Sequence, residues 1–263
     1  MPTPGILRDP RDVYDDAGMV WSLRNVGAHL HPGSESATVA LADRAAAYGL
    51  APGARILEVA SALGSPARFL ARRFAATVVC VDMDIRMHAA AATGHRAEGL
   101  GLRCQLLLGR AERLPLGTAT MDAAWSQDAL CHMEKPAVVS EIARVLRPGS
   151  IFAFTDWIAM AGFTDDDGRA LARLWGFPSL LRIPEYVTVL ESVGFEVLLA
   201  ENRTRAVLGA RLPAAEDQEL WLEGFVARFG SAAVARQREP SEAWAGMIEG
   251  QRAGYAMFIA RRR

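Results

Sequence analysis

Lysine is almost missing from this chain. Lys135 is the only one among 29 basic residues, and every other cation is arginine. Together with abundant alanine, that reads as a coding bias, so arginine number alone is no sign of phosphate binding. Cysteine is scarce too: Cys80, Cys104 and Cys131 are an odd, widely spaced set that supports neither a disulfide framework nor a zinc site. Cys80 and Cys104 lie in apolar runs and are expected to be small core hydrophobes. No apolar run approaches the roughly 18 residues of a membrane-spanning helix, and Met1 to Pro10 holds Pro and Asp rather than an apolar leader. A soluble, cytoplasmic protein is expected. The formal net charge is only -1, which leaves no global field to gather nucleic acid or an anionic membrane.

What the chain does have is apolar strands alternating with helical stretches. With 51% hydrophobic and 22% charged residues over 263 positions, it can bury one full α/β core. Strands are expected over Arg55–Ala60, Thr77–Asp82, Leu102–Gly109, Met121–Ser126, Ser150–Asp156, Phe195–Glu201 and Ala256–Ala260. Between them, Ser65-Pro66 reads as a Ser cap followed by Pro at the first helical position, opening a helix to about Phe74. Further helices are expected from about Ile85, over Pro136–Leu146 and over Pro184–Val193. Short apolar strands with intervening helices argue for a parallel sheet covered on both faces.

Two segments stand outside the alternation. Residues 1–50 precede the first strand and form an expected N-terminal helical cap, clearest over Ala37–Tyr48. The main domain is then 51–263. Within it, about 158–183 is rich in large apolar side chains and is either a lid over a substrate or an extra helix packed on the core. A lid would suit the carboxyl ends of parallel strands, where α/β proteins bind ligands.

The chemistry concentrates at those ends. The first strand finishes in Glu58-Val-Ala-Ser-Ala-Leu-Gly64, a carboxylate followed by a turn of tiny residues and a helix start. Such a turn lets backbone N–H groups approach a ligand closely. The second strand finishes in Val81-Asp82-Met83-Asp84, which places a carboxylate to accept both hydroxyls of a ribose. The dinucleotide fingerprint G-x-G-x-x-G is absent. An acidic Glu58 before the turn would repel a diphosphate and attract an ammonium.

From Ile56 to about Trp157 the chain resembles class I S-adenosylmethionine (SAM)-dependent methyltransferases of the small-molecule type. The resemblance is carried by the Glu58–Gly64 loop, by Ala111-Glu-Arg-Leu-Pro115, by Met121-Asp-Ala-Ala-Trp-Ser-Gln-Asp-Ala-Leu-Cys-His132, and by Glu141-Ile-Ala-Arg-Val-Leu-Arg-Pro-Gly149. The wording Trp-Ser-Gln-Asp-Ala-Leu is similar to sarcosine/dimethylglycine methyltransferases, to ubiquinone and menaquinone relatives, and to natural-product C-methyltransferases. It implies a Rossmann-like, seven-stranded, mostly parallel sheet with an antiparallel last strand and helices on both faces. It also implies SAM as cofactor, a small-molecule acceptor in specialised metabolism, no nucleic acid or membrane partner, and a monomer or homodimer.

By that resemblance the cofactor would meet Glu58 at its amino group, Ala60, Ser61 and Gly64 in the loop, and Asp82 at the ribose. Met83, Ala111 and Glu112 would surround the adenine, and Ser126 and Gln127 would face the transferred methyl. His132, with His29 and His31 of the cap, are the candidate bases. Tyr14, Trp21, Trp157 and Trp175 are candidate substrate contacts, with Trp125 a further aromatic face for a cationic intermediate. No metal site is expected. Three positions depart from the family pattern: Ala60 and Ala62 replace usual glycines, and Arg110 stands where an adenine-binding Asp is frequent, with Glu112 a possible substitute. The alanines are tolerable if both lie in ordinary β or α conformations. A methyltransferase-like protein with lost or altered SAM use, and an NAD(P)-dependent oxidoreductase, stay as alternatives.

Overall fold

The computed structural model describes residues 34–209, 226–227, 230–231 and 242–263. Tyr14, Trp21, His29 and His31 therefore lie outside the described residues. In chain order the elements are α1 (Ser34–Ala47), β1 (Arg55–Val59), α2 (Ser65–Arg73), β2 (Thr77–Asp82), α3 (Ile85–Ala97), β3 (Cys104–Leu108) and β4 (Met121–Gln127). A single 3₁₀ turn (Leu130–His132) leads to α4 (Lys135–Val145) and β5 (Leu146–Ala159). Then come α5 (Asp165–Trp175), α6 (Ile183–Ser192), β6 (Phe195–Asn202), α7 (Thr204–Gly209) and β7 (Ala253–Arg262).

The seven strands form one sheet in the order β3-β2-β1-β4-β5-β7-β6. β1 to β5 pair in parallel, and β7 runs antiparallel between β5 and β6. The expected Rossmann-like fold is the one observed. β1 and β2 are buried on both faces because successive side chains feed two separate cores. Leu57, Val79 and Phe152 pack under α4 and α6 with Val138, Ile142 and Tyr186. Ile56, Val78, Cys80 and Cys104 pack under α1 and α2 with Leu41, Ala45 and Leu70. Cys80 and Cys104 are core residues as expected, and α1 shares that core with β1 rather than standing off from it.

Several boundaries shift. β5 begins at Leu146 rather than Ser150, where it pairs with Met121 of β4, and continues to Ala159 because β7 supplies ladder partners as far as Ala253. Ser65 is not the cap of α2: Gly64 is the N-cap, in a left-handed conformation with no side-chain hydrogen bond, and Ser65 and Pro66 occupy the first turn. Residues 158–183 contain the end of β5 and α5, whose Thr164 and Asp167 form a reciprocal capping box. Leu171, Phe177 and Leu180 from this region join Cys131, Ala159, Met247 and Ala253 in a third apolar cluster, against which Trp157, Trp175 and Trp244 pack.

Candidate active site

The loop after β1 is held by its neighbours. The Ser61 N–H donates to Val81 O at 3.1 Å and the Gly64 N–H to Ser61 O at 2.7 Å. The Ala62 N–H donates to Asp82 Oδ2 at 2.9 Å, and the Asp84 N–H to Asp82 Oδ1 at 2.9 Å. Asp82 thus ties the ends of β1 and β2 together while its remaining lone pairs stay available. Ala60, Ala62 and Gly64 have φ of 55°, 44° and 69°. The condition under which the two alanines would be easily tolerated is not met: the loop keeps the left-handed geometry for which glycine is the natural residue.

Gly64 has a second reason to be glycine. A Cβ there would meet His95 Cε1 at 2.4 Å and Nε2 at 2.9 Å. Behind the loop, the buried Arg68 donates to Leu63 O at 2.7 Å, to Ser65 Oγ at 3.1 Å and to Glu98 Oε1 at 2.7 Å, clamping loop, α2 and α3 together.

Glu58 and Ser61 are 2% and 3% exposed, and Glu58 Oε2 and Ser61 Oγ have no hydrogen-bond partner. Burial pushes the Glu58 carboxyl well above the usual range, with the Arg68 charge drawing it part of the way back. Asp82 is raised by burial as well, against the hydrogen bonds from Asp84 and Ala62. Two orphaned polar atoms and a desolvated carboxylate beside a left-handed loop suit a ligand that brings an ammonium and hydroxyl groups. The residues present fit SAM.

The other expected contacts are less uniform. Met83 is half-buried beside Asp82, and Ala111 is buried. Glu112 pairs with Arg110 at 3.4 Å, so the departure at 110 meets the residue that could substitute for the missing Asp. Ser126 is fully buried and its Oγ donates to Val59 O at 3.3 Å. Gln127 Oε1 accepts from Thr38 Oγ1 at 3.0 Å and from Trp125 Nε1 at 3.1 Å, and its Nε2 is buried without a partner. Trp125 is 1% exposed in the core beneath α1. It offers no open aromatic face, and its expected role as one is dropped.

Of the remaining candidates, His132, Trp157 and Trp175 are connected through Phe177 and Trp244. Phe177 packs edge-on against His132, ring centroids 4.6 Å apart. Trp244 stands edge-on to Trp157 at 4.5 Å and to Phe177 at 5.8 Å, and lies 6.4 Å from Trp175. Burial and the Lys135 charge hold His132 down at about 4, against a backbone hydrogen bond involving Trp175. The imidazole is therefore neutral at physiological pH and a weak base.

Two residues escaped the sequence reading. Asp128, one step past Gln127, has φ of 54°, and its carboxyl reaches Thr155 Oγ1 at 3.4 Å while Oδ2 is buried without a partner. Burial raises it well above the ordinary carboxylate range, with a hydrogen bond from Tyr255 opposing. It belongs to the same polar turn as Gln127, where nothing in the sequence marks it as buried. Trp244 lies in the helical stretch 242–249, and nothing in its local sequence marks it. Among the described residues no three His, Cys, Asp or Glu side chains gather as a metal site.

Comparison with known proteins agrees with this geometry. Residues 57–154 match a methyltransferase domain model. Methyltransferase GfsG of Streptomyces halstedii is 30% identical over 79% of this chain and 74% of its own length. The chain belongs to the class I SAM-dependent methyltransferases. A structure described as a sarcosine dimethylglycine methyltransferase from Galdieria sulphuraria has 21% identity, a TM-score of 0.80 and coverage of 97% and 98% of the two chains. The [4+2]-cyclase SpnF has 24% identity, a TM-score of 0.74 and coverage of 97% of each chain; both structures attest the fold. The chain spans only 42% of 24-methylenesterol C-methyltransferase 2 of Oryza sativa subsp. japonica, at 30% identity over 56% of its own length.

Proposed function

We propose that this protein transfers the methyl group of SAM to a small, partly apolar metabolite, as part of specialised metabolism in the cytoplasm. The observation that carries the reading is the pairing of Glu58 and Asp82 at adjacent strand ends around a left-handed loop with unsatisfied polar atoms. Bound there, SAM would supply an electrophilic methyl on a sulfonium. Glu58 and Ser61 would take the amino-acid end, Asp82 the ribose, and Met83, Ala111 and Glu112 the adenine. The glycine fingerprint of a nicotinamide enzyme is absent, and the relatives are methyltransferases, so the oxidoreductase alternative is not favoured.

On the acceptor side the protein's own work is positioning and exclusion of water. The main domain would span 51–263, with a lid at about 158–183 and a cap at 1–50. Phe177, Trp157, Trp175 and Trp244 form an apolar wall beside His132, which suits an acceptor with apolar surface. Asp128, with its buried unpaired oxygen at the end of β4, is suited to a hydroxyl or ammonium of the acceptor. His132, neutral and weakly basic, would accept a hydrogen bond more readily than abstract a proton. Titration calorimetry with SAM and S-adenosylhomocysteine is the primary test, with micromolar-class binding expected. Absence of heat with either ligand from folded protein would remove the methyltransferase reading. Transfer of labelled methyl into fractionated extracts then identifies the acceptor; label in tRNA, DNA or protein would contradict a small metabolite.

A further inference from the structure

Lys135 occupies an unfavourable place for a cation. It is 2% exposed and is the first residue of α4, where the helix dipole opposes positive charge. No side chain caps this helix, so the N-terminal end gives the ammonium nothing. The group is held from elsewhere: Nζ donates to Ser179 O at 2.6 Å and reaches Ser179 Oγ at 3.5 Å. The fully buried Asp156 carboxylate provides the opposing charge, while accepting from Tyr186 Oη and from the Cys131 N–H at 3.2 Å. This is also the one position where a chain that otherwise uses arginine keeps a lysine. A compact ammonium fits a narrow buried site with a single carbonyl acceptor; a planar guanidinium with five donors does not.

Ser179 lies in the segment 176–181 that follows α5. That segment begins at Gly176, whose left-handed conformation ends the helix. It places Phe177 against His132 and Leu180 in the third apolar cluster. Its far end is pinned where the Ala159 N–H donates to Leu181 O at 3.0 Å. Lys135 supplies the link between these points, from the helix that follows the His132 turn.

We propose that Lys135 is a positioning residue for the acceptor side of the site, its ammonium holding the Ser179 carbonyl and so fixing Phe177 against His132. The inference rests on the acceptor side lying at His132, as in the reading above, and it does not depend on which atom is methylated. It predicts that the cofactor end and the acceptor end can be uncoupled.

The test is K135M, which keeps the length of the side chain and removes the charge, studied by amide exchange, histidine NMR and S-adenosylhomocysteine titration. Exchange across 176–181 should rise about tenfold or more while β1 and β2 stay protected, as expected for local opening. The His132 titration, assigned with H132N, should move up from about 4, because the Lys135 charge and the close packing both hold it down. Affinity for S-adenosylhomocysteine should be unchanged. A folded K135M with wild-type exchange at 176–181 overturns the proposal, whatever the His132 midpoint does, because loss of the Lys135 charge alone raises that midpoint. Loss of S-adenosylhomocysteine binding in the wild type would instead strike the methyltransferase reading, leaving the exchange result to stand by itself. If K135M does not fold, the wild type decides: Lys135 is its only side-chain amine, so acetic anhydride should acetylate the N-terminal amine long before Lys135. Prompt acetylation of Lys135 in native protein overturns the proposal.

Discussion

Asp82 accepts the backbone N–H of Ala62 at 2.9 Å, so the carboxylate suited to the ribose also braces the loop suited to the methionine end of SAM. Its other oxygen accepts from the Asp84 N–H at 2.9 Å, which orients the start of α3. Replacing Asp82 with Ala should weaken SAM binding by about 1.5–3 kcal/mol, the scale of hydrogen bonds to a charged group, and lower unfolding stability as well. Calorimetry and urea denaturation on one preparation measure both. A drop in affinity with unchanged stability would show that the two N–H bonds contribute nothing to the fold.

Gly64 should tolerate no side chain. G64A has to hold a residue at φ 69° and push aside the His95 ring, which lies 2.4 Å from the new Cβ. A loss of about 2–4 kcal/mol is expected, from αL strain plus overpacking. The double variant G64A/H95A should recover the steric part and leave the strain. Additive losses in that cycle would mean that His95 does not confine Gly64.

The alanines at φ 55° and 44° give a prediction of opposite sign. Relief of left-handed strain, about 1–2 kcal/mol, outweighs the extra unfolded-state freedom of glycine, about 0.4–1 kcal/mol. A60G and A62G should therefore each raise the urea midpoint, with the denaturant slope unchanged. A lowered midpoint at either position would count against the left-handed assignment there.

His95 gives the pH dependence. It is 1% exposed, and burial and the Arg68 charge lower it from 6.5 to about 4. A base whose folded pKa is depressed binds fewer protons than in the unfolded chain, so its contribution is full above about 6.5 and declines as pH falls toward 4. Glu58, raised by burial, acts in the opposite sense: it favours the fold at low pH and opposes it as pH rises through its folded pKa. Comparing wild type with H95N isolates the first effect: in wild type minus variant, stability should climb between pH 4 and 6.5. A flat difference would place the His95 ring in water.

The sheet was legible because it rests on local signals. Apolar runs such as Thr77–Asp82 need two covered faces, and Gly and Pro punctuate the joins. Glu58 and Asp82 were legible for the same reason, being carboxylates at the ends of otherwise apolar strands. The loop conformation was not. Alanine at 60 and 62 argues locally against φ > 0, and the conformation is set by partners distant in sequence, Val81 O and Asp82 Oδ2. The aromatic wall also depended on tertiary contacts: Trp157 and Trp175 were named, but Trp244, which touches Trp157 and Phe177, comes from a stretch about 70 residues beyond Trp175. Asp128 was passed over beside Gln127 because a polar residue in a polar turn carries no burial signal.

The place of β7 has a consequence for how the protein is made. β6 touches the rest of the sheet only through β7, whose Phe258 faces Phe154 of β5 across about a hundred residues of chain. While a ribosome is still holding residues 253–262 in its exit tunnel, β6 has no sheet neighbour and β5 carries an open edge with Phe154 and Ile158 beside it. Synthesis at about 5–20 residues per second leaves that edge exposed for several seconds before β7 can enter. For this chain the interval between the emergence of β5 and that of β7 is when a chaperone has most to cover.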